Sequence, residues 1–383
     1  MVKADTVVVG GGLTGCAAAY YLATAGVDVL LLERSELNEQ ASGRNAGSLH
    51  AQIQFEPFEQ EGDDWARGWA PTIPLLLDAI ELWRTLPGEL EAELELSIRG
   101  GLLAAETDEQ LRAVERKAAI EAAAGLEVEL LSAAELRRLA PYLSPHMVGG
   151  LLCPAEGKAN PLLATPAFAR AATRRGARFS LGVDVLAIER EPDGFLLATS
   201  RGSIRCERIL DCAGASAGRF AGLVDADLPV ESHPLQAHVT EPVAPLMQHL
   251  VYFAGERLTV KQAKVGSILI GGGWPSRVDE RTGRLSPDPH STRSNLRVAQ
   301  HVIPALAEAR LLRIWTGICN GTPDHRPIIG ELDAVPGFFV AVFPYLGFTA
   351  APLVGKLVAG LAQGLPAPYD LTPFAASRFT SSL

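Results

Sequence analysis

The stretch Val7-Val8-Val9-Gly10-Gly11-Gly12-Leu13-Thr14-Gly15 constrains what this chain can fold into more than any other part of it. Residues Thr6 to Val9 read as a short buried strand, and Gly10, Gly12 and Gly15 follow at the G-x-G-x-x-G spacing. An alanine-rich helix, Cys16 to Ala25, closes on Gly26, and a second apolar strand, Val27 to Leu32, ends on Glu33. In such a unit the first glycine permits the tight turn, the second lets backbone reach a pyrophosphate, and the third lets the helix lie close on the sheet. The helix N-terminus offers unpaired N–H groups and a partial positive charge to the phosphates. Glu33 can accept hydrogen bonds from an adenosine ribose. Strand, helix and acid in register predict a Rossmann-like, dinucleotide-binding α/β unit.

At 383 residues the chain is long for a single core, so two domains are expected. It has no run of about 18 or more apolar residues, and no transmembrane helix is expected. Met1 leads straight into the first strand, so no signal peptide is expected. The five cysteines (Cys16, Cys153, Cys206, Cys212 and Cys319) are scattered without a C-x-x-C pair. That argues for a reducing, cytoplasmic location and against a zinc or iron–sulfur site; no metal is expected. A net charge of −10 disfavours a nucleic-acid partner.

Beyond Glu33-Arg34 lies a small-residue loop, Ala41 to Ser48, whose successive N–H groups can form an anion-binding nest. Leu49 to Phe55 alternates, with His50, Gln52 and Gln54 on one side, and reads as a strand with one polar face. Thr72 to Leu86 and Thr107 to Gly125 read as amphipathic helices, the second opened by Thr107 and Gln110 at capping-box spacing. Ser132 and Glu135 repeat that box before a short helix, Ala133 to Leu139. An alanine-rich helix, Pro161 to Arg175, precedes strands at 178–181 and 183–188 and a hairpin formed by 195–199 and 204–209. The pattern is β-rich from about Val230 to Gly273, with Leu258–Gln262 and Ser267–Gly271 as a hairpin, before a helix from Ser291 to His301. The tail predicts a buried strand, Phe338 to Phe343, a loop to Thr349, and a helix from Pro352 to Leu361 with proline in its first turn. Alternation between α/β and β-rich segments predicts two discontinuous, interleaved domains.

Four segments in order carry a family resemblance: Gly10 to Gly15 with Glu33-Arg34; Ser42-Gly43-Arg44-Asn45-Ala46-Gly47; Cys212-Ala213-Gly214-Ala215-Ser216; and Thr322 to Gly330 with Tyr345-Leu346-Gly347-Phe348-Thr349. Over nearly its whole length the chain resembles the D-amino-acid-oxidase-like flavoprotein superfamily, which includes glycine and sarcosine oxidases. More narrowly, Asn45 to His50 and Cys319 to Asp324 look like the flavin-bearing β subunits of opine oxidases and D-hydroxyproline dehydrogenases.

The resemblance implies an FAD-binding domain made of residues 1–85, 150–222 and 315–383, interleaved with an antiparallel-sheet substrate domain of 86–149 and 223–314. It implies non-covalent FAD held by Gly10, Gly12, Leu13, Thr14, Gly15, Glu33, Arg34, Ser42, Arg44, Asn45, Ala46, Gly47 and Ser48. Val185, Ala213, Gly214, Gly317, Leu346, Gly347, Phe348 and Thr349 complete that expected set. Many relatives place a carboxylate-gripping Arg two residues after the glycine of a W-x-G segment; here Trp315-Thr316-Gly317 puts Cys319 there. No confident catalytic residue emerges, and the substrate-pocket candidates are His50, Gln52, Tyr252, Lys261 and Tyr345. The activity implied is hydride removal from the carbon beside an amine of an opine, D-hydroxyproline or related amino-acid-type substrate, with partner subunits carrying electron-transfer centres. A stand-alone glycine, sarcosine or D-amino-acid oxidase using oxygen, or a FAD-carrying subunit whose catalysis lies in a partner chain, are the alternatives. A nicotinamide-dependent dehydrogenase would share only the first segment.

Overall fold

The computed structural model describes residues 2–379; Met1 and residues 380–383, at the ends of the expected FAD-binding segments, lie outside the described residues. Two eight-stranded sheets dominate. The first runs β10 (Val185–Glu191), β11 (Gly194–Thr199), β12 (Gly202–Asp211), β1 (Val2–Val9), β2 (Val29–Glu33), β9 (Arg178–Leu181), with β21 (Val335–Val342) also on β12 and β20 (Ile328–Leu332) on β21. Its centre is parallel: β1 pairs with β2 and β12, β2 with β9, and β12 with β21. The apolar runs of β1 and β2 are buried on both faces because two cores sandwich them. Val8 and Leu31 point to one, Val7, Val9, Leu30 and Leu32 to the other. Helices α1 (Leu13–Thr24), α4 (Ile73–Glu89), α7 (Pro161–Arg174) and α10 (Gly347–Ala362) fill the first core. Helix α8 (Ala217–Gly222) joins the second.

The second sheet runs β19 (Leu311–Gly321), β13 (Glu231–Pro242), β16 (Ser267–Gly271), β15 (Thr259–Gln262), β14 (Leu250–Phe253), β5 (Gly101–Ala105), β7 (Gly149–Cys153), β6 (Glu129–Ser132). It is antiparallel except where β14 meets β5. Helices α5 (Asp108–Ala123), α6 (Ala133–Leu139) and α9 (Pro289–Val302) cover it. A small sheet, β3 (Ser48–Leu49), β8 (Gly157–Lys158), β4 (Ser97–Ile98), links the two layers, and β17 (Arg277–Val278) pairs with β18 (Leu285–Ser286). Helix α2 (Ala41–Arg44) is a single turn, and α3 (Phe55–Trp69) is broken at Gly62, whose φ is +82°.

The mixed α/β fold of interleaved sheets is as the sequence predicts. The segments expected from 150 and 315 each begin on strands of the second sheet, β7 and β19, so the chain crosses between layers a few residues later than expected. The capping box at Ser132 and Glu135 closes in both directions. At Thr107 only half of it forms, because the Gln110 side chain accepts the N–H of Glu106 instead. The last helix begins at Gly347, so Gly347-Phe348-Thr349 are its first turn rather than a preceding loop, and Pro352 lies inside it.

The largest correction concerns 49–55. No strand continues past Leu49, because the N–H groups a strand would give a neighbour go to side chains instead. His50 N donates to Thr349 Oγ1 (2.9 Å), Ala51 N and Gln52 N to Glu156 Oε1 (2.7 and 2.8 Å), and Ile53 N to Glu121 Oε1 (2.7 Å). Buried N–H groups must find acceptors, and here carboxylates replace a strand. No helix of the described residues is long and apolar enough to cross a membrane.

Candidate functional site

The glycine turn after β1 is built by backbone closeness. Gly10 has a φ of +109°, and a Cβ there would stand 2.5 Å from the Cys212 carbonyl oxygen. A Cβ on Gly15 would stand 2.0 Å from the Gly10 carbonyl oxygen, which lets α1 lie against the turn. Gly12 differs: its φ is −79°, and a Cβ would meet only the Ser42 hydroxyl, at 2.9 Å. That hydroxyl accepts the Leu13 N–H at 2.9 Å, tying α2 to the start of α1. Glu33 closes the turn from β2, its Oε2 accepting the Gly11 N–H at 2.7 Å and its Oε1 the Ser35 N–H at 2.8 Å. Each carboxylate oxygen keeps a lone pair for a sugar hydroxyl.

From this turn a cavity of about 1110 Å³ runs between the two sheets. Gly12, Thr14, Ser42, Arg44, Asn45, Ala46, Ser48, Gly214, Gly317, Leu346, Gly347 and Phe348 are on its wall. Neither α1 nor α10 has a capping side chain on its N-cap residue, so apart from the Leu13 N–H, which Ser42 takes, two helix N-termini present first-turn N–H groups to one space. Arg44 serves the frame: it donates to the carbonyls of Glu39 and Thr316 and pairs with the Glu39 carboxylate. Gly317 lets it pass, since a Cβ there would stand 2.9 Å from the Arg44 Cβ. Gly47, with a φ of +77°, makes a turn packed on Ala159, and Thr349 is buried beneath His50. Gly10, Leu13, Gly15, Glu33, Ala213 and Val185 stand behind the wall. Val185 O accepts from Arg219 Nη2 at 3.0 Å, and Arg34 is exposed.

The same cavity is also lined by His50, Gln52, Tyr252, Cys319 and Tyr345. His50 Nδ1 lies 2.6 Å from the Tyr252 hydroxyl, which donates to the buried Glu156 carboxylate at 2.8 Å. Burial, with the Lys261 ammonium nearby, holds the His50 imidazole down at about 3, so it is neutral at ordinary pH. Burial pushes the Cys319 thiol up to about 11, so this position supplies no charge where relatives are expected to keep an Arg. Tyr345, at a φ of +55°, contacts His233 Nε2 through its hydroxyl at 3.0 Å. Lys261 stands apart: it is buried, donates to Ser48 Oγ at 2.6 Å, and lies behind the wall that Ser48 forms. Burial and the neighbouring Lys158 lower its ammonium to about 7.

The sequence reading missed Glu156, the buried pair Lys117 and Glu121 (2.6 Å), and Arg257, which lines the cavity and pairs with Glu56. A lysine and a glutamate at i,i+4 on α5 give the signal of a solvated pair, yet both side chains are buried.

The residues present suit FAD. Gly12 and Thr14 line the cavity at the start of α1, and the N-termini of α1 and α10, neither with a capping side chain on its N-cap residue, suit a pyrophosphate and the electron-rich edge of a flavin. The chain is 30% identical over 378 residues to the beta subunit of sarcosine oxidase from Rhizobium meliloti, covering 94% of this chain and 85% of that one. It is 28% identical to a subunit of the opine oxidase of Rhizobium meliloti, covering 99% and 98%. The crystal structure of glycine oxidase from Geobacillus kaustophilus superimposes with a TM-score of 0.87 at 26% identity, over 99% of both chains. Residues 5–361 match the family described as FAD dependent oxidoreductase (DAO). The chain belongs to that family, and it is an FAD-dependent oxidoreductase.

Proposed function

We propose that this chain oxidises the C–N bond of an amino-acid-type amine, an opine, D-hydroxyproline or a relative, to an imine that water then hydrolyses. In this reading it is the cytoplasmic flavin-bearing β subunit of a dehydrogenase with several different chains. FAD, bound without a covalent link, supplies the two-electron acceptor. The chain's own residues orient the amine and exclude water. The first sheet with its glycine turn holds the cofactor, and the second sheet covers the substrate.

The observation that carries this reading is the uncharged wall of His50 and Tyr252 backed by Glu156, which offers acceptors to an amine N–H. Arg44 is committed to Glu39 and Thr316, and position 319 holds a neutral thiol, so neither is available to a substrate carboxylate. Arg257 takes that role in this reading: it lines the cavity, and it is tied by Glu56 and a single carbonyl, Gly273 O, where Arg44 holds two carbonyls as well as Glu39. The sarcosine and opine oxidase relatives are themselves named as subunits, which supports electron exit to a partner chain. End-to-end agreement with a glycine oxidase favours a second reading, an oxidase that works alone with oxygen.

Anaerobic mixing with opines, D-hydroxyproline, N-methyl amino acids and glycine, watching the flavin absorbance bleach, tests both. The expected outcome is bleaching by a substituted amine, reoxidation faster by dyes than by oxygen, and little response to glycine. Rapid bleaching by glycine with fast reoxidation in air would establish the second reading instead.

A further inference from the structure

A buried carboxylate stands behind the wall of the cavity. Glu156 lies between β7 and β8, is fully buried, and accepts four hydrogen bonds. Oε1 takes the N–H groups of Ala51 and Gln52, and Oε2 takes Gln52 Nε2 (2.9 Å) and the Tyr252 hydroxyl (2.8 Å). All four partners donate, the pattern of an ionised carboxylate. The seat is cut to fit, since a Cβ on Gly101 would stand 1.8 Å from Oε2. Gln52 is fixed in turn, because its Oε1 accepts from Lys117 Nζ at 3.1 Å.

The direction of each hydrogen bond follows. Tyr252 has one hydroxyl proton and gives it to Glu156, so at the 2.6 Å contact with His50 Nδ1 the tyrosine oxygen accepts. His50 must then carry its proton on Nδ1. Its Nε2 has no hydrogen-bond partner among the described residues and is a free lone pair on the cavity wall. The geometry points to Glu156 as a positioning residue that fixes His50, through Tyr252, in the Nδ1–H tautomer, so that Nε2 accepts the N–H of the substrate amine. The identity of that ligand rests on the amine reading above; the tautomer does not.

The arrangement also gives the proton somewhere to go. A substrate arriving as an ammonium ion passes a proton to Nε2, the Nδ1 proton passes to the Tyr252 oxygen, and the Tyr252 proton passes to Glu156. The products are a neutral amine, His50 protonated on Nε2 alone, a neutral tyrosine and a neutral carboxyl; no electrons move. Burial raises the Glu156 carboxyl above the usual range, against the pull of its donors, which suits a terminal proton acceptor.

Nitrogen-15 shifts of the histidine rings in FAD-loaded protein read the tautomer directly, with His50→Gln identifying the His50 signals. Wild-type protein should show Nδ1–H. Glu156→Gln sets an amide donor against Tyr252, which must then donate to His50, so the tautomer should reverse to Nε2–H. Anaerobic bleaching by substrate should slow about 100-fold with FAD content unchanged. Tyr252→Phe, a second variant should Glu156→Gln fold poorly, should abolish the tautomer preference with a similar slowing. His50 found as Nε2–H in the wild type, or Glu156→Gln with tautomer and rate unchanged, overturns the proposal. The expected tautomer in a protein whose flavin no amine bleaches would uphold the positioning role and refute the amine reading.

Discussion

The two ends of the cavity are made of different materials. At the glycine end the working parts are backbone: first-turn N–H groups at two helix starts and a turn in which atoms from other segments stand where side chains would be. Around His50 they are side chains gathered from four separate stretches: His50 and Gln52, Lys117 and Glu121, Glu156, and Tyr252. A backbone site needs glycines at fixed local spacing and therefore writes itself into a few consecutive residues. A side-chain site needs only that the fold bring its parts together. It should tolerate conservative change locally and fail when a buried charge loses its partner.

That difference can be broken at either end, and the largest effect is expected at Gly12. Gly12→Val should give folded but colourless protein, because its φ suits any residue while its new side chain stands on the cavity wall and displaces the Ser42 hydroxyl from the start of α1. A cooperative melt, lowered only by the loss of one Ser42 hydrogen bond, with no flavin absorbance is the expected pair of observations; a yellow variant would show that the pyrophosphate does not pass there. At the other end, Lys117→Met leaves Glu121 buried without its partner and should cost about 3–5 kcal/mol in denaturant unfolding. Adding Glu121→Gln, which removes the charge but keeps an acceptor for the Ile53 N–H, should recover most of the loss; a double variant no better than the single one would mean that the lost Lys117 contact with Gln52, and not the unpaired charge, carries the cost.

Glu33→Ala should weaken FAD binding by about 1–3 kcal/mol in a titration of the apoprotein, with turnover at saturating FAD preserved. Because Glu33 also holds the Gly11 and Ser35 N–H groups, unchanged affinity would remove it from the cofactor's contacts altogether. The smallest effect should come from a site at neither end. Asn160 caps α7 by accepting the Leu162 N–H at 2.9 Å, and Asn160→Ala should cost about 1 kcal/mol of stability while leaving FAD affinity alone. A change in FAD affinity there would mean that the backbone end depends on distant framework more than its local spacing implies.

The same contrast explains what could be read in the sequence. The cap at Ser132 is decided within three residues, and the turn at Gly10 to Gly15 with the acid ending β2 needs fixed residue types at fixed spacing inside one strand–helix–strand unit, so both patterns are visible in the chain even though Cys212 and Ser42 complete the turn from afar. The alternation from Leu49 to Phe55 imitates a strand because side-chain pattern says nothing about where the backbone N–H groups are satisfied. Glu156 and Glu121, distant in sequence, take three of those N–H groups and end the strand. Glu156 itself sits between Ala155 and Gly157 in a stretch with no periodicity, where a glutamate ordinarily faces water. The preference of proline for a first turn places the start of α10 too late, and the true first turn, Gly347 to Thr349, carries no cap residue to announce it.

The fit between Gly101 and Glu156 reaches beyond this one sequence. Because the carboxylate occupies the volume that any side chain at 101 would need, position 101 cannot change while the acid stays. A descendant lineage could place a side chain on this strand only after the acid had gone. It could recover the acid only by first returning to glycine. The order of changes, and not their sum alone, would then decide which substrates such a lineage could come to use.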